Sequence, residues 1–240
     1  MRKKPEELRA EVGNVLSFLE EAGADFVVRR TKAALIPDAA SEKSEPAPQA
    51  AGRDSSRLLA VQTEVLGCQK CPLGRVRSKA VPGEGGLDSG LMFVGEAPGA
   101  EENIQGRPFV GRAGQLLANI IKAMGFDRAE VFITNVVKCQ PPGNRTPLSA
   151  EIDACTPYLL RQIEAIQPEV IVALGSVSAG FFVPGDIKIS GLRGTLYDHG
   201  RVKVMPTFHP AYLLRNEGNR QIKKAVWDDM QKVMAFLGKK

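Results

Sequence analysis

Residues 91–114 read LMFVGEAPGAEENIQGRPFVGRAG, an apolar run that breaks into two glycine-rich turns. Leu91, Met92, Phe93 and Val94 have the uninterrupted apolar character of a strand buried on both faces, and the run stops at Gly95-Glu96-Ala97-Pro98-Gly99. The second turn, Gly106 to Gly111, sets the large aromatic Phe109 between glycines, which lets a planar ligand come close to the backbone. Beyond it, Leu116, Leu117, Ile120, Ile121 and Met124 recur at helical spacing and Gly125 can cap their C-terminal end. A ligand-binding loop held between a strand and a helix is the expectation.

The same alternation continues downstream. Val131-Phe132-Ile133-Thr134 reads as a second buried strand with Asn135 at its end, followed by the rigid polar loop PPGNRTP and a helix that Thr146 or Ser149 could cap. Pro157 is expected to interrupt that helix just after Cys155. Val170 to Leu174 forms a third strand, with a short helix after Gly175. Residues 195–205 resemble a hairpin turning at Asp198-His199-Gly200, Met205 to Phe208 leads to His209-Pro210, and a helix from Gln221 to Leu237 closes the chain. Strands alternating with helices predict an α/β fold, a three-layer α/β/α arrangement with a mainly parallel central sheet. In such a sheet ligands bind at the carboxyl ends of the strands. GEAPG is not GxGxxG and no P-loop lysine follows it, so no nucleotide cofactor is expected.

The 240 residues, 43% of them hydrophobic, suffice for one substantial core. Residues 1–35 are expected to form a helical extension, with Leu8, Val12, Leu16 and Leu19 at helical intervals. Residues 36–54, rich in Pro, Ala, Ser and charge, read as a flexible linker, and residues 55–240 as the functional domain. The start of the chain lacks the apolar centre of a secretory signal and no long apolar run suggests a membrane span, so a cytoplasmic location is expected; a monomer is expected as well. A net charge of +5 permits a polyanionic partner without requiring one.

Four cysteines remain. Cys68 and Cys71 form a Cys-x-x-Cys followed by proline, and Cys139 and Cys155 lie far downstream. In a reducing compartment this pattern favours metal binding over disulfides, and over four small buried side chains. Zinc and an iron–sulphur cluster both accept four thiolates, so spacing does not choose between them. Arg75, Arg77 and Lys79, just after the pair, suit either a solvated loop or contact with phosphates.

Three segments taken together, GEAPGAEENIQGRPFVGRAGQLL (95–117), ITNVVKCQPPGNRTP (133–147) and FHPAYLLR (208–215), along with the four cysteines, closely resemble the family 4, iron–sulphur, uracil-DNA glycosylases. The resemblance runs from about residue 55 to the C-terminus. It implies a uracil-DNA glycosylase-like fold, a 4Fe–4S cluster on Cys68, Cys71, Cys139 and Cys155, uracil-containing DNA as partner, and hydrolysis of the bond between uracil and deoxyribose. Gly95, Glu96, Ala97, Phe109, Asn135 and His209 are then the residues expected to surround the base.

The chemistry suits those side chains. An extruded base must be stacked on a face and read by its edge. Phe109 can supply the face, while the Asn135 carboxamide can accept from uracil N3–H and donate to O4, a pattern that cytosine reverses. His209 can donate to uracil O2 as negative charge develops there. His199 is expected to be a solvated turn residue. In the more widespread uracil-DNA glycosylases an aspartate follows the residue matching Glu96 and a tyrosine excludes thymine; here those places hold Ala97 and Gly99. Glu96, and after it Glu102, are the candidates to position the attacking water, though either could be a structural carboxylate. Leu214 and Arg215 are expected to touch DNA, the first filling the space left by the base and the second on a phosphate. Two other readings are a superfamily member that binds uracil-DNA without turnover, which the lack of histidine in PPGNRTP disfavours, and a zinc-stabilised DNA-binding module.

Overall fold

The computed structural model describes residues 53–185 and 188–239. Helix α1 (Ser55–Gly67) and the short α2 (Leu73–Val76) bracket the first cysteine pair, and strand β1 (Glu84–Gly85) leads into β2 (Leu91–Gly95). Then come α3 (Ala100–Gln105), α4 (Arg112–Ala123), β3 (Phe132–Asn135), α5 (Ser149–Ile166), β4 (Val170–Leu174) and α6 (Gly175–Phe182). Helix α7 (Ile189–Leu192), the hairpin β5 (Tyr197–His199) and β6 (Val202–Thr207), then α8 (Pro210–Arg215) and α9 (Arg220–Phe236), complete the order.

The six strands lie in the order β1-β3-β2-β4-β6-β5. The four central strands are parallel and the two edge strands antiparallel, so the sheet is mainly parallel. Every residue of β2, β3 and β4 is buried because helices cover both faces. Alternation along β2 divides the core: Met92 and Val94 face α1 and α5, with Leu58, Val61, Leu159 and Ile163. Leu91 and Phe93 face α4 and α9, with Leu117, Ile121, Met230 and Val233. This is the expected α/β/α layering. The chain passes from β2 to β3 on one side and then to β4 on the other, and that reversal opens the crevice in which open sheets bind ligands.

Pro157 does not interrupt its helix; α5 runs unbroken from Ser149 to Ile166. A proline inside a helix costs about 3 kcal/mol. Burial of Tyr158, Leu159, Ile163 and Ile166 on one face, each worth roughly 1.5–3 kcal/mol, outweighs that cost. Neither Thr146 nor Ser149 caps the helix either. The N-cap is Leu148, whose N–H donates to the Glu151 carboxylate at 2.8 Å, and Arg145 holds that carboxylate from the other side at 2.7 Å. His199 is not solvated: it is buried in β5 opposite Val202, and the turn falls one residue later, at the left-handed Gly200. Its Nδ1 lies 3.1 Å from the Phe182 carbonyl. The expected N-terminal helix and nearly all of the expected linker lie outside the described residues.

Candidate active site at the carboxyl edge of the sheet

Gly95, Asn135 and His209 stand at or just beyond the carboxyl ends of β2, β3 and β6, and Phe109 reaches them from the loop between α3 and α4. The Phe109 backbone is left-handed, with φ of 50°, which a bulky residue adopts only when its surroundings enforce it. Three groups do so. Arg128 donates to the Pro108 carbonyl and at 3.0 Å to Glu84, bracing the loop before the ring. Glu102 accepts from the Val110 and Gly111 amides at 2.9 and 3.0 Å, bracing the loop after it. Gly114 makes room beneath, since a Cβ there would overlap the Phe109 carbonyl.

The ring so held is 7% exposed and its centroid lies 5.7 Å from that of His209, at an angle of 31°. Asn135 is 1% exposed, and its Oδ1 is buried without a hydrogen-bond partner. Leaving such an acceptor unpaired costs about 1–3 kcal/mol. A Cβ on Gly95 would press on both Phe109 and Asn135 Oδ1, so these groups share one crevice. The structure therefore brings Phe109, Asn135 and His209 together at one edge of the sheet.

His209 caps α8, and its Nδ1 accepts from the Ala211 amide at 3.1 Å. That bond leaves the ring proton on Nε2. Burial, and secondarily the charge of Arg215, pushes the imidazole down to about 4, against a smaller opposing effect of Glu102. Near neutral pH it is an uncharged donor.

The two candidate carboxylates differ. Glu102 is occupied by three loop amides, those of Val110, Gly111 and, at 3.0 Å, Gly99, so it is a structural clamp. Glu96 lies just beyond β2, and burial alone raises its carboxyl above the ordinary glutamate range. Ala97, next to it, packs on the core.

Residues 82–231 match the family model of the uracil DNA glycosylase superfamily. The chain belongs to that superfamily. It is 50% identical over 181 residues to a type-4 uracil-DNA glycosylase of Thermotoga maritima, covering 75% of this chain and 94% of the relative. A type-4 enzyme of Saccharolobus solfataricus is 45% identical over 189 residues, covering 75% and 86%. A type-5 uracil-DNA glycosylase of Pyrobaculum aerophilum is 33% identical over 175 residues, covering 61% and 74%.

In this uracil-DNA glycosylase superfamily member the four cysteines line one cavity, together with Val65, Arg77, Lys138 and Tyr158. Donors point at the sulphurs: Arg77 Nη1 to Cys139 Sγ at 2.9 Å, the Lys138 amide to Cys155 Sγ at 3.3 Å and the Lys70 amide to Cys68 Sγ at 3.5 Å. Arg77 also donates to the Leu66 carbonyl, so of the three basic residues after the pair only Arg75 and Lys79 remain exposed to meet a phosphate.

The segment after His209 is helix α8. Leu213 is buried, Leu214 half-buried, Arg215 exposed, and Tyr212 packs on Phe208 with centroids 5.1 Å apart. Behind it, the buried Asp229 accepts from Thr207 and Arg193, each at 2.6 Å, which anchors the end of β6. That cluster, Arg128 and Lys138 shape the site without having been picked out from sequence. Only Lys138 left a trace there, as a charge inside the apolar run Val136-Val137-Lys138-Cys139.

Proposed function

We propose that this protein is a DNA-repair uracil-DNA glycosylase, which takes uracil out of the DNA stack and hydrolyses its N-glycosidic bond. The observation that carries the reading is the buried, unpaired Oδ1 of Asn135 beside the Phe109 ring. An N–H of a flipped base satisfies that acceptor, and uracil N3–H has the right polarity while cytosine N3 does not. The adjacent amide of Asn135 then donates to O4, Phe109 stacks on the base, and Gly95 lets it approach the strand.

As the bond from C1′ to N1 breaks, its electron pair passes to uracil and charge builds on O2. Neutral His209, its Nε2–H fixed by the Ala211 amide, donates there. Water adds to C1′, and Glu96 orients it and takes its proton, leaving an abasic site. Leu214 enters the gap left by the base and Arg215 meets a phosphate.

Cys68, Cys71, Cys139 and Cys155 would hold a 4Fe–4S cluster. The donor set fits: four sulphurs around one cavity, three of them receiving N–H donors as thiolates do. Through these residues the loops after α1 and β3 would be tied to α5.

The test is a uracil-containing oligonucleotide. Free uracil and an alkali-labile abasic strand are expected. Intact strand at stoichiometric protein would overturn the reading in favour of binding without turnover.

A further inference from the structure

Lys138 is the anomaly of the core. It is 1% exposed and among the largest fully buried side chains, yet it ends in a polar amine. Its Nζ lies 2.7 Å from each of three acceptors: Thr134 Oγ1, Gln162 Oε1 and the backbone carbonyl of Asn135. Gln162 is itself fixed, its Nε2 donating to the Pro82 carbonyl at 2.6 Å. The main chain of Lys138 is pinned as well, since its carbonyl accepts from the Val81 amide at 2.8 Å and its amide reaches Cys155 Sγ.

Stability does not explain such a group. A methionine would fill much the same space with no polar head to satisfy, and replacing buried polar or ionic groups by apolar ones is often neutral or stabilising. What a saturated buried network does provide is one fixed local geometry. The geometry fixed here is the end of β3, where the Asn135 carboxamide must present an unpaired oxygen within a crevice that tolerates little displacement.

We propose that Lys138 is a positioning residue for base reading, holding the Asn135 backbone so that its carboxamide is aimed before the base arrives. The proposal rests on the assignment of Asn135 above. Through its own backbone, Lys138 also links that aim to the cysteine loop.

A double-mutant cycle separates this from a structural role. Single-turnover rates at saturating enzyme on uracil-containing DNA are measured for wild type, Lys138→Met, Asn135→Ala and the double variant, all with iron content and Tm recorded. Lys138→Met is expected to slow cleavage on the order of ten- to a hundredfold in the wild-type background and less than about twofold in the Asn135→Ala background. Equal losses in the two backgrounds, or no loss in either, overturn the proposal. Wild-type cleavage by Asn135→Ala alone would instead overturn the assignment of Asn135, an outcome legible without Lys138→Met. If Lys138→Met does not accumulate folded with its iron, Gln162→Met, which removes one acceptor of Lys138 Nζ from α5, takes its place. Coupling of that variant to Asn135→Ala supports the proposal, and additivity overturns it.

Discussion

The Phe109 ring lies directly against Gly95, so closely that a Cβ on the glycine would stand 2.5 Å from Phe109 Cζ. It would also press on Asn135 Oδ1. One added methyl group would therefore disturb both the stacking face and the reading carboxamide while leaving the strand's hydrogen bonds in place. Gly95→Ala is expected to lower kcat/KM on uracil-containing DNA by about 100-fold or more, because misplacement of about 1 Å at a reacting site costs that much. Tm should stay within a few degrees. A loss below threefold would mean that the base does not bind over Gly95.

Glu96 and Glu102 should respond oppositely to conversion into glutamine. Glu102→Gln sets an amide among three N–H donors, and a lost charge-assisted bond costs about 1.5–3 kcal/mol, so Tm should fall and the Phe109 loop loosen. Glu96→Gln removes a carboxylate whose ionised form burial disfavours. Because its folded pKa lies above the unfolded value of 4.5, the folded state carries the penalty once the pH exceeds that range, and Glu96→Gln should hold or raise Tm at neutral pH. Its kcat should drop by about 10²–10⁴, the usual worth of a positioned acid or base. The acid limb of the wild-type rate profile should disappear with it. The reverse pattern in thermal melts and rates would exchange the two roles.

The parts of this fold that were legible in the sequence are those governed by local pattern. Val170 to Leu174 reads as a buried strand and is one, and the closing helix agrees to within a residue at each end. Phe109 between glycines and Asn135 at a strand end stood out by local pattern, whereas His209 was joined to them only through the family resemblance of FHPAYLLR. Failures arose where a distant contact outweighed a local preference. Pro157 stays helical because the sheet-facing side of α5 is buried, and the α5 cap depends on Glu151 being held by Arg145. His199 turns inward to the Phe182 carbonyl, 17 residues earlier in the chain. Arg77 suited a solvated loop or a phosphate contact and is an inward-pointing donor to Cys139 Sγ and the Leu66 carbonyl, which only the three-dimensional placement of its acceptors could reveal.

His209 ties activity and stability to pH. In the unfolded chain it titrates near 6.5 and in the fold at about 4, because burial disfavours its cation. A depressed histidine contributes its full stability above 6.5, loses it as pH falls from 6.5 towards 4, and adds no further loss below that. The interval corresponds to about 3 kcal/mol. His209→Ala should therefore flatten the dependence of unfolding free energy on pH across this window, as urea titrations would show. At neutral pH the same variant should lose about 10²–10³ in kcat, the worth of one donor at a developing anion. His199→Ala should instead lower Tm and keep most of the rate. Equal loss of rate in both would misplace the anion.

The cysteine cavity predicts its own contents. Protein purified without oxygen should be brown, with broad visible absorption and about four iron atoms per chain. Cys139→Ser should lose iron and Tm together, since the loop after β3 is then free of α5. Stoichiometric zinc in colourless, fully active protein would refute the cluster.

Arg215 stands exposed at the C-terminal end of α8, six residues beyond His209. If it neutralises one phosphate, Arg215→Ala should weaken binding of uracil-containing and matched undamaged DNA by similar factors, and the slope of log K against log salt should become shallower by about 0.9. Leu214→Ala should leave that slope alone. It should instead slow cleavage of double-stranded more than single-stranded substrate, because only a duplex leaves a gap in its stack when a base departs. Fluorescence anisotropy over a salt series gives the first quantity and paired single-turnover assays the second. An unchanged slope for Arg215→Ala would place the phosphate contact elsewhere, with the exposed Arg75 and Lys79 next to be replaced.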